Sequence, residues 1–347
     1  MRVLYCTAPS TALLGVCGGV RRLMQLYEEG LKARGHEVEY LSIWQKPDWG
    51  KHDLCHLFSA NGNTFSIGAM ISERLPLVVS PILDKSHPDI LLRLNVLLDR
   101  YAPVVYTHLG RCAALCSMAD VICLMSTEEG RRVANGLGIH TPSQVVHAAV
   151  ASSNVKPEAG RFGEYENRPY VLFVGDAGNP RKNAVRLIQA VQGIDTDILL
   201  CGSISQGKTG DQVRRQILQA PNVQHIGFIE EGEKAFLMQH ARAFVLPSLF
   251  EGIGLAAVEA ALLDTTVVVT RNGGPPDYFA DKAYYVNPYS VSDIRCKIQQ
   301  AKDHHLNASK WICQHVSLEH TGKELAACYE QCIENGRERI KAKGKIA

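Results

Sequence analysis

Short runs of β-branched and aromatic residues alternate with longer amphipathic stretches from one end of this chain to the other, and this alternation limits the fold more than any other feature. Strand and helix in regular succession leave neighbouring strands parallel, with helices over both faces of the sheet. The expected class is therefore α/β with doubly wound parallel sheets. The series opens with a strand at Val3-Leu4-Tyr5-Cys6. A glycine-rich loop follows, through Gly15, Gly18 and Gly19. Next comes a helix with Val20, Leu23, Tyr27 and Leu31 on one face, and Gly35 stops it. Further strands are expected at Glu37–Ile43, Asp53–Leu57, Leu77–Ser80, Val121–Leu124 and Val145–His147.

The stretch Ala151 to Arg168 carries Ser, Asn, Pro, Glu and Gly without periodicity and reads as an interdomain linker. A second series starts at Tyr170, with strands at Tyr170–Val174, Asp197–Cys201, Val223–Ile226, Ala243–Leu246, Thr266–Thr270 and Ala283–Val286. The helix after Lys182 sets Ala184, Leu187, Ile188 and Val191 on one face. Two domains, 1–160 and 166–320, suit a chain of 347 residues. Open α/β sheets bind ligands at the carboxyl ends of their strands, so two such domains are expected to face a cleft.

Charge and cysteine usage remove several classes of function. A net charge of +2 calls for no nucleic acid or other polyanionic partner. The basic tail (Arg337, Arg339, Lys341, Lys343 and Lys345) reads as a solvated end. Eleven scattered cysteines with no CxxC pair read as small buried hydrophobes in a reducing compartment. No apolar run suits a signal peptide or a membrane span, and the expected location is the cytoplasm. Arg21, Arg22, Arg131 and Arg132 are candidates for touching anionic lipid or an anionic carrier, which would make the protein peripheral at the inner membrane face.

The densest candidate for chemistry is Pro247-Ser248-Leu249-Phe250-Glu251-Gly252-Ile253-Gly254-Leu255-Ala256-Ala257-Val258-Glu259. It follows a strand, and its glycines open an Ala/Leu-rich helix. Such a turn presents unpaired backbone N–H groups and the positive end of a helix dipole, which suit a phosphate. Glu251 on the turn and Glu259 on the helix can each accept hydrogen bonds from paired sugar hydroxyls. Spacing alone also fits an ordinary strand–turn–helix with two surface glutamates.

The run resembles the signature of the large retaining glycosyltransferase family four: Pro-Ser, an aromatic, Glu-Gly-x-Gly-Leu, then a second glutamate eight positions after the first. Phe173-Val174-Gly175 followed by Pro180-Arg181-Lys182-Asn183 is similar to that family's phosphate loop. Asn222 to Phe228 is similar to the stretch lying against the nucleotide base, and Val267–Thr270 with Gly273-Gly274 to the strand and loop after the glutamate helix. Gly18-Gly19, before a helix ending at Gly35-His36-Glu37-Val38, fits as well. The resemblance spans about residues 2 to 330. It implies the GT-B fold, two Rossmann-like domains, with a last helix around Glu324–Ile333 in the segment 321–347 crossing back onto the first domain. It also implies transfer of a sugar from a UDP- or GDP-type nucleotide sugar, with retention of configuration and with no metal or other cofactor. The acceptor would be a glycan, a lipid-linked molecule or a small molecule. In that frame Glu251 binds the donor sugar and Glu259 the ribose, Lys182 and Arg181 neutralise the diphosphate, and the amides of Gly254 and Leu255 bind phosphate. Ile253, Gly175 and Phe228 complete the donor side, and Gly18 and Gly19 approach the diphosphate from the first domain.

Asp176 stands where many relatives carry Arg or Ser, and is expected to repel a diphosphate. Ser80-Pro81-Ile82-Leu83-Asp84 lacks the histidine common after that strand, so a donor-binding but non-catalytic relative is an alternative. His56, at the end of the Asp53–Leu57 strand, is a candidate on the acceptor side. Asp195-Thr196-Asp197 spells DxD, a metal-binding motif of a different glycosyltransferase fold, but it sits where a strand begins and reads as a turn. Gly202-Ser203-Ile204-Ser205-Gln206-Gly207-Lys208-Thr209 matches the phosphate loop of nucleotide hydrolases and kinases letter for letter. Against that reading, Gly210 and Asp211 predict a late helix start, and no later strand ends in an aspartate to hold magnesium. The loop at Gly15, Gly18 and Gly19 does not spell the dinucleotide fingerprint of a dehydrogenase.

Overall fold

The computed structural model describes residues 1–9, 11, 19–42, 44–45, 47–83, 86–102, 106–148 and 155–344. The chain divides into two compact units, Met1–Ala149 with Val316–Ala347, and Val150–His315.

The first unit is a six-stranded sheet of β1 (Arg2–Cys6), β2 (Glu37–Tyr40), β3 (Leu54–Phe58), β4 (Leu77–Ser80), β5 (Val121–Leu124) and β6 (Ser143–Val145). Every pairing is parallel and the order is β2-β1-β3-β4-β5-β6. The central strands β3, β4 and β5 are buried along their whole length. They are covered by α1 (Gly19–Lys32), α2 (Gly62–Ser72), α3 (Asp89–Tyr101), α4 (His108–Met118) and α5 (Thr127–Arg132). Of the α1 positions expected to face inward, Leu23, Tyr27 and Leu31 are buried, and Gly35 takes the left-handed φ that ends the helix. Two edges moved. The described part of β2 ends at Tyr40 and Ile43 lies outside the described residues, while β6 lies two residues before the expected Val145–His147.

The second unit holds β7 (Tyr170–Val174), β8 (Asp197–Cys201), β9 (Val223–Gly227), β10 (Ala243–Leu246), β11 (Val267–Thr270) and β12 (Tyr284–Val286). Between and after them come α6 (Ala184–Val191), α7 (Lys208–Gln219), α8 (Glu231–His240), α9 (Leu255–Leu262), α10 (Pro275–Phe279), α11 (Val291–Asp303) and α12 (Ser309–His315). The order β12-β11-β10-β7-β8-β9 is that of a Rossmann sheet. Its strand order reverses between β7 and β10, so the loops after those two strands diverge and open a crevice at their carboxyl ends.

The last helix, α13 (Leu318–Gly344), returns to the first unit. Leu325, Cys328, Tyr329 and Cys332 recur at helical spacing and are fully buried. The helix crosses α1 at Gly30 and Gly322, where a Cβ on Gly322 would overlap the Gly30 carbonyl. Arg339 donates to both carboxylate oxygens of Asp120, at 2.8 and 2.9 Å, and to the carbonyls of Ser72 and Leu75. Among the described residues no helix is long and apolar enough to cross a membrane. The ten described cysteines are free thiols; eight are buried, whereas Cys296 and Cys313 are exposed, against the expectation that all serve as core.

Candidate active site

The loops after β7 and β10 meet at the reversal point of the second sheet. After β7 the chain passes Gly175 and enters a 3-10 turn, Pro180–Lys182, capped by Asn179, whose side chain accepts from the Arg181 amide at 3.0 Å. Asn183 adopts a left-handed φ of 61° and donates to the carbonyls of Pro247, 2.9 Å, and Pro288, 2.7 Å. That side chain ties the two loops together. The Leu249 amide donates to the Arg181 carbonyl, and Arg181 donates through Nη1 to the Phe250 carbonyl, each within 2.9 Å.

Glu251 sits on this scaffold. Its amide donates to the Asn272 carbonyl and its carbonyl accepts from the Gly274 amide, an isolated bridge that stitches the turn to the loop after β11. Gly273 lies so close to the Glu251 backbone that any Cβ there would overlap the Glu251 carbonyl, and its φ of 109° is itself a glycine conformation. The carboxylate is 5% exposed. Its Oε1 accepts from Lys182 Nζ at 2.7 Å and from Ser248 Oγ at 2.6 Å, and its Oε2 lies 3.3 Å from Arg181 Nη1. Burial alone would raise this carboxyl, but the charges of Lys182 and Arg181 outweigh it and hold the group below its ordinary value. The three residues singled out as chemical thus form one cluster in which two cations face one buried anion.

The turn Gly252-Ile253-Gly254 continues from Glu251 into α9. Gly254 caps the helix with φ 82°, and its carbonyl accepts from the Ala257 and Val258 amides. The amides of Gly254 and Leu255 have no acceptor among the described residues. Ile253 is buried beneath the turn. Glu259 lies further along α9, its carboxylate 3.1 Å from Lys234 Nζ, which also contacts Glu231 at 2.7 Å. Burial works to lower the Lys234 pKa, but Glu259 and Glu231 hold it above its ordinary value. The arrangement therefore offers two unpaired amides at a helix N-terminus, two cations and two carboxylates along one edge of a Rossmann sheet. That set suits a ligand with a diphosphate between two hydroxyl-bearing groups.

Residues 156–313 match the protein family described as glycosyl transferases group 1. That match takes in nearly the whole of the second unit and less than half of the chain. It is 29% identical over 139 residues to the O-antigen chain mannosyltransferase B of Escherichia coli, covering 38% of this chain and 36% of that protein. It is 31% identical over 128 residues to the alpha-maltose-1-phosphate synthase of Mycobacterium tuberculosis, covering 35% and 33%. The matched stretch thus spans about a third of the length of these relatives. The fold is similar to that of Anabaena HepE, solved in complex with UDP-glucose, with a TM-score of 0.70, 17% identity, and coverage of 94% of this chain and 98% of that one. Both sheets have the GT-B arrangement of strands and helices.

Several residues read differently in the structure than the sequence suggests. Asp176 was expected to repel a diphosphate. Its Oδ1 instead accepts from the Gly178 amide, 3.0 Å, and the Ser205 amide, 2.9 Å. Burial pushes its carboxyl up, yet hydrogen bonds from Ser205, Gly178 and Ser203 leave it below the ordinary value, so the charge is absorbed locally. The same bonds bear on Gly202–Thr209. The helix there does not start late: α7 begins at Lys208, as a nucleotide-binding loop would have it. The Ser205 amide is already occupied by Asp176, and Arg214 is bonded to the Ile204 carbonyl at 2.6 Å. Asp197 of the DxD pairs with Arg168 at 2.5 Å. No group of three or more potential ligands that could hold a metal ion occurs among the described residues.

Gly175 has φ 153°, with the Lys182 stem beside it. Phe228, just past β9, is 76% exposed, a free aromatic face on the same unit. Gly19 starts α1, with no atom of the other described residues within 4 Å of where its Cβ would stand, and Gly18 lies outside the described residues. His56, expected to face an acceptor, is fully buried. Nδ1 bonds the Tyr329 hydroxyl at 2.8 Å and Nε2 the Ser80 hydroxyl at 2.9 Å, within an aromatic cluster of Tyr5, Tyr27 and Phe58. Its role is to join α13 to the sheet. Arg131 is engaged by Glu128 and Asp89, and Arg132 is buried, which removes both as lipid contacts. Lys234 was not foreseen, because no motif marks it in Glu231-Gly232-Glu233-Lys234.

A cavity of 280 Å³ opens at the carboxyl ends of β3 and β4, lined among others by Ser59, Asn61, Asn63, Ile82 and His108. His108 Nδ1 accepts from the Gly62 amide at 3.2 Å, so the neutral ring carries its proton on Nε2.

Proposed function

We propose that this chain transfers a hexosyl group from a nucleoside-diphosphate sugar, UDP- or GDP-linked, to a hydroxyl-bearing acceptor with retention of anomeric configuration. The observation that carries this reading is the buried Glu251 carboxylate clamped by Lys182 and Arg181 beside the open amides of Gly254 and Leu255. When the glycosyl–phosphate bond breaks, negative charge grows on the leaving diphosphate. Prepositioned cations and N–H donors stabilise that charge. In this scheme Lys182 and Arg181 turn toward the diphosphate, Glu251 turns to the donor sugar's hydroxyls, and the Gly254 and Leu255 amides hold phosphate oxygens. Glu259 takes the ribose hydroxyls and Phe228 borders the base. No side chain emerges as a clear base, so the leaving phosphate is assigned the acceptor's proton. The two cations do the work a divalent metal would do, and the reaction is assigned as metal-independent.

The donor class is supported by the UDP-glucose named for the Anabaena neighbour and the sugar transfer named for the curated relatives. The cavity beside His108 is the place we assign to an acceptor. Among the described residues that line it, the Asn61 and Asn63 amides and the Ser59 hydroxyl offer neutral hydrogen-bonding groups, which suits a glycan or the sugar of a lipid-linked acceptor. The free thiols suit a reducing, cytoplasmic setting.

Thermal-shift titration with UDP-, GDP- and ADP-sugars tests the donor, since a ligand at 100 times its Kd stabilises by about 2.7 kcal/mol. One nucleotide sugar should stabilise the protein, and ATP and NAD should not. Glu259→Ala should weaken that shift, while Glu251→Ala should lower turnover, about 100-fold or more, with a smaller effect on binding. Full turnover and donor affinity in both variants would sink the site assignment. Donor binding without turnover on any acceptor would identify a non-catalytic relative. Unchanged turnover in EDTA and a product anomer matching the donor test the metal and stereochemical assignments.

A further inference from the structure

Thirteen large apolar side chains are exposed among the described residues, and six of them lie on the single helix α3. They are Ile90, Leu91, Leu94, Leu97, Leu98 and Tyr101, between 37% and 71% exposed. At about 100° per residue they fall within one arc of about 120°, opposite the buried Leu92. A helix of this kind normally turns such an arc into the core. Here the arc faces outward, and a smaller inner face holds the helix to the fold.

The charges of α3 are sorted as well. Asp89 is paired with Arg131 at 2.5 Å and Arg132 at 3.4 Å, and Asp99 with Arg111 at 3.1 Å. Arg93 and Arg100 are exposed and have no carboxylate partner among the described residues. They lie seven positions apart, hence on one flank of the apolar arc. Arg100 also covers the Tyr101 ring, 5.5 Å from its centroid. The result is a convex apolar band edged by two cations and ended by a tyrosine. A protein partner fits this poorly. The band is one helix wide and about 20 Å long, well short of the roughly 800 Å² each side contributes to a stable protein interface. A bilayer surface fits it well. Apolar side chains enter the acyl boundary, arginines reach lipid phosphates, and tyrosine belongs at the headgroup level.

We propose that α3 docks the first unit onto an anionic bilayer, lying in the plane of the interface with Leu94, Leu97 and Leu98 inserted and Arg93 and Arg100 on lipid phosphates. This goes beyond the transfer reaction and stands whether or not that reaction is correctly assigned. It also moves the membrane contact away from Arg131 and Arg132, which α3 uses to neutralise Asp89.

The full chain should float with vesicles of equal parts phosphatidylcholine and phosphatidylglycerol, and less with phosphatidylcholine alone. Arg93→Gln and Arg100→Gln should each weaken binding about fivefold and reduce its dependence on salt. Leu94→Glu with Leu98→Glu should abolish binding without changing the thermal midpoint, since both positions are exposed. Leu218→Glu, at an exposed leucine of α7, should leave binding intact. The proposal fails if the wild-type chain does not float, or if the Leu94/Leu98 double variant floats as well as wild type. It also fails if light scattering shows a dimer that those two substitutions dissociate.

Discussion

At the scale of single residues, the site holds its own counterions. Glu251 keeps its charge in a buried position only because Lys182 and Arg181 outweigh the cost of burial. Since its folded pKa is depressed, its contribution to stability is present above the ordinary carboxylate value of about 4.3 and is lost as pH falls through the folded value. Lys182→Met removes one of the two cations, so the carboxyl rises and the loss begins at higher pH. Thermal unfolding followed from pH 7 to pH 3 should show the variant's midpoint beginning to fall at a higher pH than the wild type's. Coincident profiles would mean that Lys182 is not what keeps Glu251 ionised. This cluster was legible in the sequence because two motifs, one on each loop, specified it together. Asp176 was not. An aspartate's letter does not say whether its charge faces a ligand or a ring of amides, and only the closure of Gly178 and Ser205 on it decides the matter.

At the scale of elements, most strands were readable because each is an apolar run bounded by Gly, Pro or Asp, and β7, β8 and β10 have the expected bounds. The edge strands were harder. β6 pairs Ser143 with Ile122 and Gln144 with Cys123 through the backbone, so its side chains need not be apolar and leave no pattern. The α3 pattern hides something different. A leucine stripe reads the same whether it faces the core or the outside, and only the structure distinguishes them. The crossing of α1 and α13 yields a prediction at this scale. Replacing a glycine inside a helix by alanine ordinarily stabilises by about 1 kcal/mol. At Gly322 the added methyl would meet the Gly30 carbonyl and force the helices apart, so Gly322→Ala should destabilise by about 1–3 kcal/mol in urea. A stabilising substitution would show that the two helices do not pack this closely.

At the scale of the molecule, the two units differ in how the chain builds them. The second is continuous, Val150–His315, and the first is made of two pieces. A fragment of residues 150–315 should unfold as one cooperative transition. Residues 1–149 alone should not, because Tyr5 and His56 lose the Tyr329 hydroxyl and Asp120 loses Arg339. Adding a peptide of residues 316–344 should restore a transition. Circular dichroism melts of the three samples distinguish these outcomes, and a cooperative melt of 1–149 by itself would contradict them.

The return of α13 also bears on how the protein is made. Nascent chains usually settle their domains in the order in which they emerge. Here the sheet that emerges first waits for the helix that emerges last. At about 5–20 residues per second, the segment from residue 150 to residue 344 keeps that sheet uncovered for about 10–40 s while the second unit is synthesised and free to fold. A premature stop before residue 316 would therefore harm residues 1–149, and a chaperone that waits on the ribosome would find its client there.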